Sequence, residues 1–144
     1  MEALEGTGTI APEPDWSSLF NDIVEVNVAR EYWRIITTEM RERNILSASN
    51  GHSVQRLVCS YLMYDAAARV VADRGAVTKP RAGNTKAIAR ISPHFTVMRE
   101  AASDAAGLES ELGLSPRRRS TAAKVERKAR AARAADNYLR QVAK

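Results

Sequence analysis

Apolar residues recur along much of this chain at intervals of three and four, the period of helices with one buried face. Val26, Ala29, Trp33, Ile36 and Met40 are spaced 3, 4, 3 and 4, which predicts a helix over about 22–43. Glu25, Arg30, Arg34, Thr37 and Arg41 fall off that stripe. Glu39 and Arg43 form an i,i+4 pair worth roughly a few tenths of a kcal/mol. Asn44 closes the helix. A second helix is expected from a cap at Ser47 to about Arg74, with Gly75 as its stop. Val54, Leu57, Val58, Tyr61, Leu62, Ala68, Val71 and Ala72 mark its broad buried face, and Asp65 lies among them. Two long helices joined by so few residues pack antiparallel.

A third helix starts at Ser92-Pro93, an N-cap followed by proline at the first helical position. Its stripe is Phe95, Met98, Ala102, Ala105, Leu108 and Leu112. Gly113 stands where a left-handed residue ends a helix, and Leu114 folds back on the last turn. Ser115-Pro116 repeats the start pattern, so a fourth helix is expected. Its Ala122, Val125, Ala129, Ala132, Leu139 and Val142 offer only a thin seam, marginal without a partner. Upstream, Asp15 or Ser17 caps a short turn through Leu19 and Phe20. Between the second and third helices, Pro80, Gly83 and Asn84 are turn residues. Val77-Thr78 is expected to pair with Ala87-Ile88-Ala89 there.

The expected fold is all-α: an antiparallel pair of long helices, a third helix, a basic loop or short hairpin, and a basic C-terminal helix or tail. Residues 1–14, broken by Gly6, Gly8, Pro12 and Pro14, are expected to be disordered. Residues 15–115 form the helical domain, and 116–144 the tail. The first two helices carry more apolar surface than one covering helix can bury. Tyr32, Ile35, Met63 and Tyr64 beside the main stripes are therefore candidate oligomer-interface residues, and a cyclic homo-oligomer larger than a dimer is expected.

Composition narrows the function. At 144 residues and 44% hydrophobic, one globular domain is expected. No apolar run approaches the roughly 18–20 residues of a membrane span, and the acidic N-terminus lacks the layout of a secretory signal. A reducing cytoplasm is the simplest setting. Cys59, His52 and His94 do not make a metal set. No phosphate-binding GxxxxGK[ST] occurs, and Gly6-Thr7-Gly8 is not a dinucleotide fingerprint. No motif places Ser, His and Asp together. Asp65 is a lone inward carboxylate, with Arg69, Arg30 or Arg34 as candidate partners. Trp33, Tyr61 and Tyr64 read as core or interface fillers rather than base-stacking platforms. No catalysis and no cofactor are expected; the chain reads as a binding protein.

Charge points to the ligand. The net charge is +5, yet residues 1–115 hold 12 Lys/Arg against 15 Asp/Glu, and residues 116–144 hold 10 against 2. Such asymmetry suggests nucleic acid or an acidic partner. The loop Lys79, Arg81, Lys86 and Arg90 has no acid among it. It is either a phosphate contact or a solvent loop whose charges prevent edge pairing. Arg117, Arg118, Arg119, Lys124, Arg127, Lys128, Arg130 and Arg133 give the tail two readings, a DNA contact or a helix docking a protein partner.

The stretch Ile91 to Arg119, with its Leu-Gly-Leu-Ser-Pro-Arg block at residues 112–117, resembles the C-terminal signature of tailed-phage terminase small subunits. Asp15-Trp16, then Ala29, Trp33 and Ile36, Ile45-Leu46-Ser47, Tyr61, Tyr64, Ala67 and Gly75 are similar too, so the resemblance spans about residues 15–120. Ser92 stands where the family often has Asn, and Asn50 where it often has Asp. The resemblance implies a non-catalytic subunit of viral genome packaging in the host bacterial cytoplasm. Such subunits form rings, bind the packaging start site on concatemeric double-stranded phage DNA, and present it to the large subunit with its ATPase and nuclease. A small helical transcription regulator or nucleoid-type DNA binder is the alternative, although the long helices lack a short recognition helix after a tight turn. A protein-only scaffold is a third reading.

Overall fold

The computed structural model describes residues 11–115 apart from 81, 84, 85 and 87. Three helices dominate them: α1 (Ile23–Glu42), α2 (Gly51–Arg74) and α3 (Pro93–Glu111). Short 3-10 turns at Trp16–Ser18 and Ala48–Asn50 lead into α1 and α2, and β1 (Val77–Thr78) pairs with β2 (Arg90–Ile91) between α2 and α3. The expected fourth helix lies outside the described residues.

Local chemistry accounts for the helix ends. The Asp15 carboxylate accepts from the Ser17 N–H at 3.1 Å, and the Asp22 carboxylate from the Val24 N–H at 2.8 Å. Both donors would otherwise lack a partner at a helix start. Asn44 adopts φ +56° and Gly113 φ +74°. Past each, Ile45 N–H donates to Met40 O and Leu114 N–H to Glu109 O, the bond pattern of a helix closed by one left-handed residue. The two closures meet: Arg43 Nη1 donates to Gly113 O at 3.3 Å while also pairing with Glu39. Ser92 stands at the N-cap of α3 without a side-chain capping bond, and its N–H donates to Ala76 O at 2.9 Å instead. Ser47 caps the 3-10 turn by position only, and its hydroxyl bonds Ser49.

The α1 stripe is buried as expected, and Thr37 joins it. Its hydroxyl donates to Trp33 O at 2.7 Å, which lets a polar residue sit inside. On α3, Ala101 is buried and Ala102 exposed. Met98, Ala101 and Ala105 share a face as well as Met98, Ala102 and Ala105 do, so the side on which α2 lies made the choice. On α2, Ser60 and Ala67 are buried and Ala72 is exposed, because α2 has helices on two sides.

The principal pairing also differs from the expectation. α2 packs more extensively with α3 than with α1. Small Ala101 and Ala105 face that contact, and small side chains let helix axes approach. Near its middle, α1 brings Tyr32 against Tyr61, with ring centroids 5.3 Å apart. The Tyr32 hydroxyl donates to Asp65 Oδ2 at 2.8 Å. Asp65 therefore pairs with a tyrosine rather than with Arg30 or Arg34, and Arg69 reaches only its backbone oxygen, at 3.2 Å. The core centre is Trp16, Met40, Leu57, Val54 and Val58, where each fully buried aliphatic side chain contributes roughly 1.5–3 kcal/mol. Trp16 meets Trp33 edge to face with centroids 6.0 Å apart. Part of the segment before residue 15 packs on the helices: Ala11 is buried against Gly51, and Trp16 Nε1 donates to Glu13 at 3.1 Å.

Candidate nucleic-acid interface

Gly75 stops α2 at φ +85° after donating its N–H to Val71 O at 2.8 Å. That turn aims the chain away from the helices. β1 and β2 then form a two-stranded ribbon with Val77 opposite Ile91 and Thr78 opposite Arg90. The expected partner for Val77-Thr78 was Ala87-Ile88-Ala89. The helix packing instead brings Ala76 against Ser92, so the strands pair at the ribbon's base. Thr78 Oγ1 adds a bond to Arg90 O at 3.0 Å.

The ribbon concentrates one sign of charge. From Gly75 to Met98 the chain contains no Asp or Glu. Lys79, Lys86 and Arg90 are exposed there, and Arg81 lies outside the described residues. Glu100, Asp104, Glu109 and Glu111 follow along α3, so α3 becomes acidic away from the ribbon. Glu109 accepts a bond from the Tyr61 hydroxyl at 2.6 Å. Burial, reinforced by that bond, pushes the Tyr61 hydroxyl well above its ordinary titration range. The bond to Asp65, with burial second, raises Tyr32 in the same sense.

The tail cations Arg117, Arg118, Arg119, Lys124, Arg127, Lys128, Arg130 and Arg133 also lie outside the described residues. Of the candidate interface residues, Ile35, Met63 and Tyr64 are exposed, whereas Tyr32 is engaged within the chain by Tyr61 and Asp65. Leu19, Ile23 and Val24 near the start of α1 are exposed as well, and the sequence reading passed over them because they precede its stripe.

A groove of about 520 Å³ runs between Ala11–Glu13 and the outward side of α1, where Arg30, Glu31, Arg34 and Arg41 line it. Arg34 Nε bonds Glu31 at 3.1 Å, and that bond holds the Glu31 carboxyl below its usual range. In the sequence these positions are marked only by falling off the buried stripe, which does not reveal a groove. Among the described residues no cluster of three or more His, Cys, Asp or Glu side chains could hold a metal ion. No described helix is long and apolar enough to cross a membrane. The described surface offers exposed cations and aliphatic groups side by side.

The family model of the phage terminase small subunit matches residues 29–129. No curated protein and no solved structure matches the chain. The matched span takes in α1, α2, the ribbon and α3 almost whole. The chain therefore belongs to the phage terminase small-subunit family, which serves phage genome packaging and is generally the non-catalytic, regulatory subunit.

Proposed function

We propose that this chain is the DNA-recognition subunit of a packaging terminase: a cyclic homo-oligomer in the host cytoplasm that binds the start site on concatemeric phage DNA and presents it to the large ATPase and nuclease subunit. The observation that carries the reading is the acid-free ribbon with Lys79, Lys86 and Arg90 exposed at one end of the α2–α3 hairpin. Arg81 and the tail cations extend the same contact in this proposal. Phosphate contacts of this kind hold DNA without reading its bases, and a ring multiplies them through avidity. Exposed Ile35, Met63 and Tyr64 are the large apolar side chains that an interface between copies would cover in this proposal.

Two measurements test the proposal. Light scattering at micromolar concentration should give a mass above that of a dimer; a monomer of 15.8 kDa would refute self-assembly. Binding to duplex DNA should weaken steeply with salt, the mark of counterion release from phosphates. Absence of DNA binding at low salt would leave a protein-only adaptor as the surviving reading.

A further inference from the structure

The ribbon between α2 and α3 carries more than charge. Neither of its faces is covered by the helices: Val77, Thr78, Arg90 and Ile91 are all exposed. Ile88 is 81% exposed, Ile91 63% and Val77 50%. Val77 and Ile91 are direct cross-strand partners, and Thr78 and Arg90 are the next pair. Paired residues share a face and successive pairs alternate, so an aliphatic pair and a cation stand on opposite sides of one narrow ribbon. A two-stranded ribbon is marginally stable at best in water. Exposed ribbons are ordinarily protected by charge at their edges; here every formal charge is positive and three large aliphatic side chains remain open.

A partner for this surface must be anionic and must also accept aliphatic groups within a few ångströms of the charges. A DNA groove, walled by phosphates and floored by stacked bases, has both properties. Proteins that enter the minor groove wedge apolar side chains between base steps and kink the duplex. We infer that the ribbon is a DNA-bending wedge, in which Ile88, the most exposed of these aliphatic side chains, unstacks a base step while Lys79 and Arg90 hold the flanking phosphates. The inference rests on the reading that the chain binds DNA, and it adds how the DNA is deformed. Ribbon-to-ribbon contact between copies is opposed by like charge. The acidic end of α3 in another copy has the opposite charge, and that contact is one outcome of the test.

The test uses the full chain and a mixed-sequence duplex rich in TA steps, which kink most easily. The duplex carries a fluorophore at each end and 2-aminopurine beside one TA step. Binding should raise energy transfer between the ends and raise 2-aminopurine fluorescence. Ile88→Ala should cut both signals by about half or more while shifting Kd at matched salt by less than about threefold, because it removes the wedge and no phosphate contact. Ile88 lies outside the core, so this variant keeps the fold. Lys79→Ala with Arg90→Ala should weaken Kd itself. DNA binding with neither signal changed, or with both retained in Ile88→Ala, overturns the wedge and leaves DNA recognition standing. No DNA binding by the parent chain overturns both. A change of oligomeric mass in Ile88→Ala with bending intact assigns the ribbon to a contact between copies and overturns the wedge.

Discussion

At the scale of single residues, the ends of α1 and α3 hold two left-handed positions, one occupied by Asn44 and one by Gly113. Glycine adopts that region at no steric cost, asparagine tolerates it, and other residues are strained there. Gly113→Ala should therefore lower stability by about 1 kcal/mol, measured by urea unfolding. Asn44→Gly should be neutral or stabilising by a few tenths. Equal effects of Gly113→Ala and of an alanine at exposed Gly107, which has open space around it, would contradict this account. Tyr61 makes a second residue-level prediction. Its hydroxyl titrates higher in the folded chain than its ordinary 10.0, so the folded state holds this proton more tightly than the unfolded chain. The resulting stability is complete below about pH 10 and is lost as pH rises above it. Tyr61→Phe should flatten the decline in melting temperature expected above about pH 10. An unchanged slope would mean that neither the burial of Tyr61 nor its bond to Glu109 persists in solution.

At the scale of elements, the ribbon is where helix packing and charge come together. Helices α2 and α3 place its strands, and no described residue of the ribbon enters the core. Its substitution should alter DNA affinity with little effect on folding. Replacing Lys79, Arg81, Lys86 and Arg90 together by alanine should reduce the slope of log K against log salt by up to about 0.9 per lost contact, as read from titrations at several salt concentrations. An unchanged slope would return the ribbon to a solvent loop. The sequence made the helices legible because each has a continuous stripe and defined ends. It misplaced the second strand because Ala87-Ile88-Ala89 and Arg90-Ile91 are equally extended in character. Nothing local chooses between those registers; the contact of Ala76 with Ser92 does.

At the scale of the whole molecule, the core of the described residues runs to Leu112 and Leu114, ahead of the basic tail in sequence. Deleting residues 120–144 should therefore leave the oligomeric mass intact in light scattering. The same deletion should weaken DNA binding at low salt by at least about tenfold, about 1.4 kcal/mol. If DNA affinity survives and only stimulation by the large subunit is lost, the tail is a docking segment. The division of charge suits either outcome: ribbon and tail are basic, while the far end of α3 is acidic. Basic segments thus flank the acidic stretch of α3, and each attracts an anionic polymer.

By itself the sequence determined the existence and approximate bounds of the three helices, the stripe of α1, the turn capped at Asp15 and the closure at Gly113. Each of these follows from spacing within one turn or from the φ a single residue tolerates. It also held the basic, acid-free segment, since charge needs no fold to be read. The tertiary structure alone decided that α3 rather than α1 is the main partner of α2. It chose Ala101 over Ala102, paired Asp65 with Tyr32 instead of an arginine, and packed Ala11 on Gly51. These are choices between residues or partners of similar local character, made by which surfaces meet when three helices share one core.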